Sequence, residues 1–243
     1  MTNPSAAMLV VGDEILSGRT RDANMHYLAG KLADMGIDLR EVRVVSDDRD
    51  AIVSATRTLS NAFDHVFTSG GIGPTHDDIT ADCIAAAFDT PIDVRDDARA
   101  LLQDHYDRQG QELNAARLRM ARIPEGAELI DNPVSTAPGF KLHNVYVMAG
   151  VPSVFQAMVA SVLAVLEGGA PLLSTTTRIE AGEGDIAGPL SELSTEHSDV
   201  SFGSYPYIKN GAYGANIVIR GTDSVAVETA TQALKSIFAD SIA

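Results

Sequence analysis

HVFTSGGIGPTHDDITADCIAAAF, residues 65–88, runs from a short apolar segment through a glycine-rich turn into helix-like sequence. HVFT (65–68) reads as a strand and ITADCIAAAF (79–88) as a helix. A strand feeding a helix through glycines is the unit from which parallel sheets are built. The same alternation extends on both sides. AMLVV (7–11) is a buried-type strand, 22–36 has helical spacing with Gly36 as a C-cap, and IDLREVRVV (37–45) is a strand. Residues 48–62 read as a helix capped by Asp47 or Asp48, and 96–110 and 112–121 as two more helices. KLHNVYVMAG (141–150) reads as one strand ending in a glycine turn, and 151–167 as a long apolar helix. The fold class expected is α/β, a mostly parallel sheet covered on both faces.

GGAP (168–171) reads as a linker, which sets domains of 1–168 and 172–243. The second is strand 175–181, helix 185–197, strands 200–207 and 214–221, and helix 223–241. This β-α-β-β-α order implies a small α+β sheet with two helices on one face.

Ligands of open parallel sheets bind beyond the carboxyl ends of the strands. Three segments fall there: GDEILSG (12–18), SGGIGPTHDD (69–78) and AGVPS (149–153). In the second, Gly70, Gly71 and Gly73 let the backbone approach a ligand without Cβ clashes. Their N–H groups make an anion nest, Thr68, Ser69 and Thr75 add hydroxyls, and Pro74 stiffens the turn. Asp77 and Asp78 serve either as helix caps or as carboxylates facing a ligand. Asp13 and Glu14 follow Gly12 in the same way, and complement a helix dipole or, with the other pair, share Mg²⁺. Asn24 is a donor for a ribose or base, or a surface polar residue. In VVSDD (44–48) the two aspartates read chiefly as caps. NPVSTAPGF (132–140), which contains Pro138 and Gly139, either closes over a ligand or is a plain loop. The amides around Gly150 either bind phosphate or make a tight turn. The histidines show no zinc spacing, and no GxSxG elbow or Cys–His pair is present.

The 243 residues carry 33 acidic against 18 basic side chains, a formal charge of −15. Such a surface repels nucleic acid, so a nucleotide must find local donors or a cation. The single cysteine, Cys83, excludes an intramolecular disulfide. No apolar run reaches the roughly 20 residues of a membrane helix. MTNPSAAMLVVGDE (1–14) lacks a basic leader, so no signal peptide and a cytoplasmic location are expected.

The order GDEILSG, VSDD, TSGGIGPTHDDIT, APGF, GVPS resembles the competence/damage-inducible CinA family. The resemblance is to its N-terminal domain, of the molybdopterin-binding MogA/MoeA type (MoCF biosynthesis), and it is similar to the N-terminal domain of eukaryotic FAD synthases. It covers residues 1 to about 165, and the 172–243 tail resembles a KH-like domain. It implies a three-layer α/β fold and a metal-dependent pyrophosphatase that hydrolyses ADP-ribose or a related dinucleotide to AMP. Mg²⁺, or Mn²⁺ or Co²⁺, is the implied cofactor. Gly12, Asp13, Glu14, Asn24, Gly70, Gly71, Gly73, Pro74, Thr75, Asp77 and Asp78 match the family's site. The roles this suggests are catalysis for Asp77, Asp78 and Glu14, metal binding for Asp13, Asp77 and Asp78, and substrate binding for the glycines and their polar neighbours.

Val154 stands where the family often has an acid, and residues 1–243 contain no nicotinamide-nucleotide amidase domain, so that activity does not carry over. Two other readings stand beside hydrolysis: pterin or nucleotide handling in molybdenum-cofactor synthesis, and a non-catalytic nucleotide-binding module. A homo-oligomer, dimer or trimer, is expected. No nucleic-acid partner is expected, because the tail has no basic GXXG and its glycines fall in KNGAYGAN (209–216).

Overall fold

A computed structural model describes residues 3–209 and 212–242. Met1, Thr2 and the Asn210–Gly211 pair of the KNGAYGAN segment lie outside the described residues. The chain divides into two compact units, Met1–Gly169 and Ala170–Ala243.

In the first unit the opening elements are β1 (Ser5–Val11), the one-turn α1 (Asp13–Leu16), α2 (Asn24–Asp34), β2 (Asp38–Val45), α3 (Arg49–Ala62), β3 (His65–Ser69) and α4 (Thr80–Ala87). There follow β4 (Ile92–Val94), α5 (Asp96–Arg108), α6 (Ala115–Leu118), β5 (Arg122–Pro124), β6 (Glu128–Ile130), β7 (Gly139–Leu142), β8 (Val145–Met148) and α7 (Pro152–Leu163). Six strands form one sheet in the order β2-β1-β3-β8-β7-β6. The pairs β1/β2, β1/β3 and β3/β8 are parallel, and β7 and β6 extend the sheet antiparallel.

The central parallel strand β1 is apolar along its length because both of its faces are covered, whereas β2, at the sheet edge, mixes charged and apolar residues. Ala7, Leu9 and Val11 of β1 enter one core, with Ile52 and Leu59 of α3, Ile84 of α4 and Leu102 of α5. Ala6, Met8 and Val10 enter the other, with Leu28 and Leu32 of α2 and Phe155 and Met158 of α7. Three layers result. β2 adds on one side of β1 and the next strand, β3, on the other, and the crevice at that reversal is where open α/β sheets bind ligands.

The structure departs from the sequence reading at several elements, and the helix expected at 223–241 ends at Ile237. The strand expected at 141–150 is the end of β7, a turn, and β8. His143 turns at φ 53°, and the Asn144 side chain donates to Ser60 O and Phe63 O at 3.0 and 2.8 Å. The helix expected at 112–121 is only the single turn of α6, capped by Asn114 Oδ1, then a 3₁₀ turn at Arg119–Ala121. The apolar helix ends at Leu163, not 167.

The second unit contains β9 (Leu173–Ile179), α8 (Glu183–Glu196), β10 (Ser201–Lys209), β11 (Ala212–Gly221) and α9 (Ser224–Ile237), in the expected order. The strands form an antiparallel sheet, β10-β11-β9. Ile217 and Ile219 pack against Ile186 and Leu193 of α8 and Leu234 of α9, a core of the unit's own. Among the described residues no helix is long and apolar enough to cross a membrane.

Candidate functional site

The carboxyl ends of β1, β2, β3 and β8 open onto a cleft of about 550 Å³. Its floor is the glycine turn after β3. Gly70 adopts φ 104° and Gly71 φ 71°, conformations that cost an L side chain energy. A Cβ on Gly70 would also run into the Val11 carbonyl oxygen, and one on Gly71 into Thr80 Oγ1. Bare backbone is what allows β1 and β3 to bring their ends together here. The Gly70 amide is itself spent, donating to Met148 O at 3.2 Å, so it ties β3 to β8.

The turn closes on itself through Asp78. The Thr75 amide donates to Asp78 Oδ2 at 2.8 Å, and the Thr75 hydroxyl donates to the same oxygen. Asp78 therefore shapes the loop and does not cap α4, as the sequence had suggested it or Asp77 would. The N-cap position is Ile79, which makes no side-chain cap, and Thr80 N donates to Gly71 O at 2.9 Å. Asp77 is exposed, and the neighbouring Thr75 hydroxyl and its own amide hold its carboxyl below the usual range.

Asp13 and Glu14 form the first turn of α1, at the rim of β1. The Asp13 amide donates to Asp47 Oδ2 at 2.9 Å. Asp48, its neighbour, caps α3 through the Ala51 amide at 2.9 Å. One aspartate of the VSDD pair is thus the cap and the other faces the cleft. Burial pushes the Asp47 carboxyl above its usual range; the Asp13 amide opposes this, and the charges of Asp13, Glu14 and Asp77 add to the rise. Asp47 is the site residue that the sequence reading under-weighted. Its signal was present, since VSDD also follows the carboxyl end of a strand.

Glu14, Asp47, Asp77 and Asp78 line the cleft, and among the described residues no Lys, Arg or His does. Nor do any three His, Cys, Asp or Glu side chains among the described residues stand close enough to hold a metal ion by themselves.

Gly12, Gly70, Gly71, Gly73 and Gly150 also line the cleft, whereas Pro74 and Thr75 sit exposed on the turn. Asn24, Ser69, Pro138 and Gly139 do different work. Asn24 is buried, and its Nδ2 donates to Ser69 Oγ at 2.8 Å and to Gly150 O at 2.7 Å. It staples α2 to the ends of β3 and β8. Gly139 is buried in β7, where a Cβ would meet Val147 O, and Pro138 borders a smaller cavity behind the glycine turn. The 132–138 loop is held by Asn132. Its Nδ2 donates to Ser135 Oγ and Ala137 O at 2.7 and 2.8 Å, and its Oδ1 accepts from the Val134 and Ser135 amides.

The comparisons agree with this architecture. Residues 7–168 match the family described as "Probable molybdopterin binding domain", and residues 171–243 match "FAD synthase, middle domain". The protein CinA of unknown function from Thermoplasma acidophilum is 34% identical, with a TM-score of 0.62 over 68% of this chain and 98% of that one. A probable FAD synthase of Caenorhabditis elegans is 31% identical over 98% of this chain, and the chain spans 50% of that relative's length. A CinA-like protein of Anaeromyxobacter dehalogenans is 36% identical over 60% of this chain and 36% of its own. The chain belongs to the probable molybdopterin binding domain family, in the group that includes CinA.

Proposed function

We propose that the cleft binds a small molecule built on a nucleoside diphosphate and, with a divalent cation, hydrolyses the diphosphate. ADP-ribose is the substrate this reading names. Water adds across the P–O–P linkage and the products are AMP and ribose 5-phosphate.

One observation carries the reading: a glycine turn suited to phosphate lies in a cleft lined by four carboxylates and, among the described residues, by no basic side chain. A diphosphate entering alone meets only like charge. With a cation between, the two anionic sets attract. The donor set fits such a bridge, since Mg²⁺ typically takes one or two carboxylates and fills its shell with water and substrate phosphate oxygens. The absence of a three-ligand cluster among the described residues is consistent with a cation that arrives with the substrate. Asp47 and Asp77, which both line the cleft, are the carboxylates that would hold it, and when bound it would polarise the phosphate and lower the pKa of a water.

The chain's own residues orient and shift protons. Free amides of the 71–73 turn hold phosphate oxygens. Asp78 keeps that turn in shape through Thr75. Glu14, which also lines the cleft, would accept the proton of the attacking water.

The test is AMP release from ADP-ribose by the purified chain with Mg²⁺, Mn²⁺ or Co²⁺. Asp77→Asn and Asp47→Asn should each lower kcat by about 100-fold or more. Lack of AMP with every metal, or unchanged turnover in both variants, overturns hydrolysis. The family description favours a second reading, binding of a pterin nucleotide without hydrolysis. Metal-dependent stabilisation by molybdopterin, with ADP-ribose inert, would select it.

A further inference from the structure

The glycine turn has a second side. Behind it lies a cavity of about 20 Å³, bordered by Gly71, Gly73, Asp78, Asp82, Arg119 and Arg122. The two arginines differ. Arg122 is neutralised by Asp82, with Nη2 at 2.5 Å from the carboxylate. Arg119 makes no ion pair among the described residues. Its Nη2 donates to the backbone oxygen of Asp78 at 3.2 Å, and its Nε is buried with no hydrogen-bond partner. A partly buried guanidinium without a carboxylate is costly unless something compensates it. The compensation can lie across the turn, because Gly71, Ile72, Gly73, Asp78 and Met120 line both the cavity and the cleft, and at the two glycines the turn carries no side chain.

We propose that Arg119 is the cationic element of the phosphate subsite, fixing the 71–78 turn through the Asp78 carbonyl and placing positive charge behind the amides that face the diphosphate. It is a positioning residue and touches no substrate. The proposal rests on the diphosphate reading of the cleft and adds a residue that neither its fold position nor the glycine motif announces. Glu14 and Asp47 follow the β1 and β2 ends and Asp77 lies on the outer part of the turn, whereas Arg119, which makes no ion pair among the described residues, sits beneath it.

The test uses the whole chain in Mg²⁺, with calorimetric titration of ADP-ribose and, separately, inorganic pyrophosphate. Arg119→Gln should weaken both by about the same factor, on the order of tenfold for one partly screened charge. Arg119→Lys, which keeps the charge, should recover most of that loss. Melting curves without ligand show whether each variant is folded. If Arg119→Gln does not fold, Arg119→Lys must still bind pyrophosphate within about threefold of the wild type, since its charge is kept. Wild-type affinity in Arg119→Gln, or equal loss in the Lys and Gln variants, overturns the proposal while leaving the cleft reading intact. A wild-type chain that binds neither probe overturns both.

Discussion

The Asp13 amide donates a 2.9 Å hydrogen bond to Asp47 Oδ2, joining segments 34 residues apart. That bond sets Asp47 among Asp13, Glu14 and Asp77, whose charges, with burial, raise its carboxyl above the usual range. Asp47→Asn keeps an acceptor for the Asp13 amide and removes a charge. Without metal, its melting temperature at pH 7 should hold or rise by about 1–2 °C, a small effect because the group is largely solvated. In Mg²⁺ the stabilisation by ADP-ribose should shrink. A lower melting temperature in metal-free buffer would mean that the carboxylates do not repel.

Gly70 and Gly18 separate two costs of a positive φ. Both lie in that region, at 104° and 71°, but a Cβ on Gly18 meets open space while one on Gly70 meets Val11 O. Gly18→Ala should cost about 1 kcal/mol, the left-handed penalty alone. Gly70→Ala should cost on the order of 3 kcal/mol, because β1 or β3 must also move. Urea unfolding of the two variants measures the difference, and equal midpoints would show that the strand ends yield freely.

Asn24 is a structural staple with two donated bonds, to Ser69 Oγ and Gly150 O. Because Gly150 O can only accept, Nδ2 must face it, which fixes the amide's orientation. Asn24→Leu fills much of the space but leaves Gly150 O without that partner, at a cost of about 1–3 kcal/mol. Asn24→Asp sets a carboxylate against a carbonyl and should be worse at pH 7 than at pH 4. A melting-temperature series across pH checks both, and an Asp variant as stable as Leu throughout would contradict this geometry.

His65 lies on the edge of the second core, 6.0 Å from the Tyr146 ring and 6.5 Å from Phe67. Burial depresses its pKa below the ordinary 6.5, with Asp64 opposing the shift. The folded state therefore disfavours the imidazolium. Any stability tied to neutral His65 is complete above the unfolded pKa and is lost as pH falls through the folded one. Denaturant midpoints should drop as pH goes from 7.5 to about 5.5, by roughly 0.5 kcal/mol or less for a half-exposed ring. His65→Phe should flatten that slope, and an unchanged slope would assign it to other groups.

Much of the fold was legible because each layer writes its own period. The apolar runs at β1 and β3 stand alone as short strands, and α2 and α3 show helical spacing with caps where glycine or aspartate stands. The β7–β8 hairpin was not legible. KLHNVYV has no glycine or proline, and His143 enters the left-handed region because Asn144 is anchored to Ser60 and Phe63 far along the chain. The brevity of α6 is likewise tertiary, with Arg119 drawn toward the Asp78 carbonyl instead of continuing a helix.

The division runs through the site itself. Sequence alone determined that glycine turns and acid pairs follow strand ends, and in a parallel sheet strand ends share one edge. Local chemistry suffices for that, since strand, turn and helix preferences are carried by neighbouring residues. Which carboxylate serves which purpose was decided only in three dimensions. Asp47 faces the cleft while Asp48 caps, Asp78 bonds to the Thr75 amide while Asp77 stays exposed, and Asn24 clamps strands. Adjacent residues of one type have the same local propensity. Only the partners brought to them by β-strand register and helix packing, tens of residues away, distinguish one aspartate from the next.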